Sequence, residues 1–181
     1  EGAVPVHQTE DGLVVDLRSA HGCEHATVVA IDLVGAPTEQ VWFVPDGDGV
    51  ITLPANCAKI DGQNLKLEAQ VDRHASATVH ALASWNTRGD AATWELVAPG
   101  KATRSYLVEL ELAVAPGSQG GTMVASFGTD SLEWTVPEAT GGWQDYRRVV
   151  IGSVHRQSPQ SFRIMARDIP GQGLCNLRAV R

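Results

Sequence analysis

Cations are scarce in this chain of 181 residues: 14 Lys and Arg stand against 21 Asp and Glu, a formal net charge of −7. That balance argues against a nucleic-acid partner, whose phosphates require a basic patch, and against a polybasic membrane anchor. It also counts against sulfated or uronic-acid glycans as ligands. Long apolar runs are missing too, since charges break each one, so no segment reads as a bilayer-spanning helix. The start, Glu1-Gly2-Ala3, has neither Met nor a basic, apolar leader, which reads as a mature product or an excised piece. The three cysteines, Cys23, Cys57 and Cys175, show no CxxC spacing, which excludes a thiol-based zinc motif and leaves one bridge or three free thiols open. No phosphate-binding glycine loop and no GxSxG nucleophile elbow occur.

What is present is glycine (18), proline (9) and short runs of Val, Thr and Ala. Period-2 alternation dominates. In Arg104 to Val114, Val108, Leu110, Leu112 and Val114 share one face, while Glu109 and Glu111 take the other. Further strands are expected at Leu13–Leu17, Ala26–Val34, Val50–Leu53, Leu65–Glu68, Thr78–Ala83, Thr93–Val97, Thr122–Phe127, Leu132–Val136, Tyr146–Val154, Ser161–Arg167 and Cys175–Val180. Turn clusters such as Asp61-Gly62, Gly128-Thr129-Asp130 and Gly141-Gly142 separate them. Many short strands with regular turns and no helical period predict an all-β antiparallel sandwich or barrel. Residues 48–181 hold enough strands for a complete sandwich. Residues 1–47 supply a short β segment that buries too little alone, so either it docks on the larger sandwich or it is the end of a preceding β-sandwich.

Chemistry-bearing patterns are sparse. His21 and His25, with Cys23 between them, leave two readings, a metal cluster or solvated loop residues, and the loop-like setting favours the second. The acids sit mostly in turns or on solvent faces, so no carboxylate pair of a glycoside hydrolase stands out. Five of the ten aromatic residues are Trp. Trp42, Trp94 and Trp134 lie in extended segments and are assigned to the core. Trp85-Asn86 and Trp143 fall in loops, where flat rings can stack on the C–H face of a pyranose while nearby amides and acids bond its hydroxyls.

Three segments extend that reading. Trp85 to Leu96 resembles a loop-then-strand segment of the galactose-binding-like carbohydrate-binding modules of families 6 and 35. Ala139-Thr140-Gly141-Gly142-Trp143-Gln144-Asp145-Tyr146 is similar to their TGGWQ-x-(W/Y) motif, and Leu174 to Val180 looks like their closing strand. The resemblance implies a jelly-roll β-sandwich that binds oligosaccharide or polysaccharide without catalysis, in a secreted or periplasmic protein. It carries the ligand-binding role onto Trp85, Trp143 and Asn176, and further onto Asp90 and Tyr146, the last of which reads equally as a core residue of its strand; Asn86 joins them through its place beside Trp85 in the loop. Family members often hold a structural calcium through opening acids, whereas Val50 to Ala55 has none here, which argues against that ion. A narrower likeness, through Ala115 to Ser118, Gly-Gly-Trp and Asn-Leu-Arg, is to the C-terminal region of bacterial α-L-fucosidases of glycoside hydrolase family 29. It implies an accessory domain beside a catalytic domain of the parent enzyme, or a domain that only braces it.

Overall fold

A computed structural model describes residues 4–9, 12–18, 43, 45–96, 104–156 and 161–181. The expected strand at Ala26–Val34, the His21, Cys23 and His25 group, and Trp42 lie outside the described residues. The chain divides into two compact units, Glu1–Glu39 and Gln40–Arg181.

In the first unit, β1 (Val6–Thr9) and β2 (Gly12–Val15) form an antiparallel hairpin with Val6 opposite Val15. The Asp16 N–H donates to the Pro5 carbonyl and closes its open end.

The second unit is an antiparallel β-sandwich. Its strands in chain order are β3 (Leu53–Pro54), β4 (Lys59–Asp61), β5 (Lys66–Asp72), β6 (Ala77–Ala83), β7 (Ala91–Glu95), β8 (Arg104–Ala113), β9 (Thr122–Phe127), β10 (Asp130–Thr135), β11 (Arg147–Arg156), β12 (Ser161–Asp168) and β13 (Asn176–Val180). One sheet runs β10-β9-β12-β7-β4 and the other β11-β8-β13-β6-β5, with β3 pairing β13. The alternation read in β8 is realised: Val108, Leu110 and Leu112 are buried between the sheets. They meet Ala92, Trp94, Met123, Ala125, Phe162 and Ile164 from the facing sheet. Trp94 closes the core near β3 by donating its indole N–H to the Pro54 carbonyl. Trp134 is half-buried and packs against the same cluster.

Two local differences from the sequence reading have simple causes. β4 is three residues long, too short to show alternation, and pairs with β7 through Ile60 opposite Ala92. The strand expected at Val50–Leu53 is confined to Leu53–Pro54, and it stops there because a 3-10 turn at Ala55–Cys57 follows at once and Pro54 has no N–H for a ladder.

The β6, β8 and β13 sheet is unusual in burying side chains on both faces. Beneath it lies the main core. On its outer face Val79, Ala81, Ala113 and Tyr146 form a second, small cluster. Beside them the Arg178 guanidinium bonds Asp72 at 3.0 Å and Glu111 at 3.1 Å. Truncation at the centre of the main core should be costly. Leu110→Ala is expected to lose about 2–5 kcal/mol, read as a lowered urea midpoint at constant slope.

Candidate carbohydrate-binding cleft

The outer face of this sheet ends in a cleft of about 380 Å³. β5 supplies one wall: Lys66, Glu68 and Gln70 alternate onto the outer face, opposite Ala83, Ala81 and Val79 of β6. The chain then leaves β6 through Ser84, whose backbone is left-handed at φ 58°, and enters the loop of Trp85 and Asn86. The opposite side is built from Trp143 and Gln144, and the floor from Gln172, Gly173, Cys175 and Asn176.

Trp143 is half-buried over Gly173. A Cβ at that glycine would approach the ring to 3.2 Å, so a side chain there would push the indole aside by a few tenths of an ångström. The turn before it is fixed at several points. The Thr140 hydroxyl accepts the Val114 N–H at 2.8 Å, and the Thr140 N–H donates back to the Val114 carbonyl. The Arg73 N–H donates to the Gln144 carbonyl, tying the turn to the β5–β6 hairpin. Asn176 Nδ2 donates to the Trp143 carbonyl at 2.8 Å. Trp143, Asn86 and Asn176 therefore reach one cleft, although Asn176 is buried and its amide is engaged in holding the Trp143 backbone.

The expectation of an exposed ring at Trp85 is corrected. Its side chain is 1% exposed and sits in the core, with the indole N–H donating to the Asp90 carbonyl at 2.9 Å. Its own carbonyl accepts the Leu174 N–H, so Trp85 links the cleft floor to the sandwich. A loop position in sequence did not reveal that the loop folds inward.

Asp90 and Tyr146 do not line the cleft, and both are corrected as well. The buried Asp90 carboxylate accepts the N–H groups of Gln63, Asn64 and Leu65 at 2.8, 3.0 and 2.8 Å. Gly62 is required beside it, because a Cβ there would lie 2.4 Å from the carboxyl carbon. Burial alone would raise the Asp90 pKa, but the three donors outweigh it and hold the group below its ordinary value. Tyr146 packs into the outer-face cluster, its hydroxyl buried with no hydrogen-bond partner among the described residues. Burial pushes its pKa up to about 12, the Arg178 cation opposing the rise.

Sequence reasoning missed Glu68, Gln70, Ser84, Gln144, Gln172 and Gly173. The signals available were the polar face of β5 and, for Gln144, its place in the Gly-Gly-Trp-Gln motif. Cys175, at the cleft floor, is fully buried and its thiol is pushed up to about 12. Among the described residues Cys57 and Cys175 are free thiols. No group of three metal-ligating side chains is found among them. A larger cavity of about 640 Å³ opens between the sheets. Its inner wall is formed by core side chains such as Ile51, Leu96, Phe127 and Phe162, and its rim by Asp46, Asp48, Glu109, Arg148 and Arg181.

No family model and no curated protein matches the sequence. Solved structures do resemble the fold. The C-terminal family 6 carbohydrate-binding module of a laminarinase from Zobellia galactanivorans superposes with a TM-score of 0.55 at 19% identity, over 71% of this chain and 94% of that one. A β-1,3-glucan-binding family 6 module from Bacillus halodurans gives 0.55 at 22% identity, over 71% and 92%. A family 35 module from Cellvibrio japonicus gives 0.55 at 14% identity, over 72% and 90%. The second unit thus has the β-sandwich fold of these carbohydrate-binding modules.

Asp90→Asn is expected to destabilise by on the order of 2–3 kcal/mol, because an NH2 group must then face backbone donors. The pH dependence should change with it. A depressed folded pKa means that the Asp90 contribution is complete above about pH 4 and fades as pH falls through the lower folded value. Acid titration of the thermal midpoint should therefore fall less steeply in Asp90→Asn than in the native chain.

Proposed function

We propose that the chain is a non-catalytic carbohydrate-binding module. One observation carries the reading: the cleft sets a half-buried indole, Trp143, beside Asn, Gln, Ser and Glu side chains on a rigid sheet. An aromatic ring with a few placed polar groups is what a pyranose needs, an apolar C–H face to stack and hydroxyls to bond. Fold kinship adds support. A related family 6 module, from a Cellvibrio mixtus lichenase, was solved in complex with cellotriose (TM-score 0.54, 21% identity). With Trp85 buried, stacking rests on Trp143, and Asn86 and Gln172 are exposed amides beside it.

The module is read as an accessory domain of a secreted or periplasmic glycoside hydrolase, where it raises the local substrate concentration of a catalytic neighbour. An α-L-fucosidase parent rests on the short motifs at Ala115 to Ser118, Gly141 to Trp143 and Asn176 to Arg178, with the sequence likeness of Thr9 to Leu17 and Ala26 to Leu33 to the strands that follow the fucosidase barrel. The reading of residues 1–47 as the end of a preceding β-sandwich belongs with it.

Trp143→Ala should weaken binding at least tenfold, roughly the loss of one stacked ring and its burial. Stability should fall by only about 1–2 kcal/mol, since the ring is half-buried. Affinity electrophoresis in plant and algal polysaccharides, paired with thermal melts, reads both. Retention of the native chain by some polysaccharide and its loss in the variant supports the reading. Silence of the native chain across the panel favours a bracing domain instead.

A further inference from the structure

The cleft lining contains one charged side chain, Glu68. Its surroundings fix it firmly. Oε1 accepts the Ser84 hydroxyl at 2.8 Å and lies 3.2 Å from the Lys66 ammonium. Oε2 accepts the Gln70 amide at 2.8 Å. The small Ala81 stands opposite on β6 and leaves the space above the carboxylate open. The group is nevertheless reachable, with 29% of the side chain exposed. The Ser84 hydroxyl, aided by Lys66 and Gln70, holds its carboxyl below the usual range against the opposing effect of burial. Glu68 is therefore an ionised, pre-oriented acceptor that can donate nothing.

Such a group suits one kind of ligand. Sugar hydroxyls are donors and can fill the carboxylate's remaining lone pairs. A sugar carboxylate would meet a like charge with no unpaired cation to offset it among the described residues around the cleft. Lys66 is already matched to Glu68, and Arg178, further along the same face, is held by Asp72 and Glu111. Arg73, near the Trp143 turn, faces Asp145. The remaining polar lining consists of uncharged amides, a hydroxyl and a thiol.

We propose that Glu68 is the specificity-determining residue of the cleft, accepting hydroxyls of neutral hexoses and turning away their uronates. This rests on the cleft being the sugar site, and the test separates the two claims. Calorimetry on the 181-residue chain uses neutral oligosaccharides of glucose, mannose and galactose, each beside its C6-oxidised oligo-uronate. The native chain should bind at least one neutral member about tenfold more tightly than its uronate, the cost of one like charge at a partly exposed site. Added salt should shrink that preference by screening. Glu68→Gln should lose about three- to tenfold in neutral affinity and narrow the preference to within about threefold, because Lys66 is then unmatched. Equal or tighter uronate binding by the native chain, a preference indifferent to salt, or an unchanged preference in Glu68→Gln overturns the role of Glu68 and leaves the sugar site standing. Silence toward all six probes overturns both. Should Glu68→Gln fail to fold, the native chain's preference and its salt dependence decide the matter alone.

Discussion

Asp90 uses both of its oxygen-bearing groups to hold the cleft in place. Its carboxylate collects three backbone N–H groups of the turn that leads into β5. Its carbonyl receives the indole N–H of Trp85 and the N–H of Ala166. Trp85 in turn accepts the N–H of Leu174 just below the cleft floor. One residue thus couples the strand bearing Glu68, the loop bearing Asn86 and the segment bearing Gly173. A buried carboxylate is costly unless its lone pairs are filled, so each lost donor weakens the hold on the others' segments. The cleft inherits its rigidity from that requirement.

The remaining positioning follows from the two-faced sheet. Because β6, β8 and β13 are covered on one side by the main core, their outward residues have fixed directions. Asn176 points from β13 to the Trp143 backbone, and Gly173 leaves the ring its seat. Farther along, Tyr146 and the Arg178, Asp72 and Glu111 group fill the same outer face. Their charges are satisfied internally. Within the cleft the negative charge rests on a single carboxylate, Glu68, with its own lysine beside it.

Much of the fold was legible because alternation is a local property. β9 matches its expected span, and β8 shows the in-and-out pattern read from Val108, Leu110 and Leu112. β4 was invisible because three residues carry no period. The site was less legible. Trp143 and Asn176 were found through short motifs, yet Trp85 and Trp143 look alike in sequence, each a Trp in a polar loop. What separates them is whether the indole N–H finds a buried carbonyl, as Trp85 does at Asp90, and that pairing depends on how the loop folds. Glu68 was hidden for a related reason: the groups that fix it come from Ser84 across the β5–β6 hairpin as well as from its own strand. Of the two readings open for Tyr146, the buried one holds, because the outer face of its sheet is covered there.

The account turns on Trp143 being the ring that meets ligand while Trp85 and Trp94 are held within the sandwich. A nitrogen–proton correlation spectrum of the chain, titrated with a neutral polysaccharide fragment that it binds, resolves the indole N–H signals one by one. The account predicts that the Trp143 indole and the Asn86 amide shift with a common saturation curve. The Trp85 and Trp94 indoles, bonded to the Asp90 and Pro54 carbonyls, should stay in place. A ligand that moves the Trp85 or Trp94 signals and leaves Trp143 unmoved would contradict it.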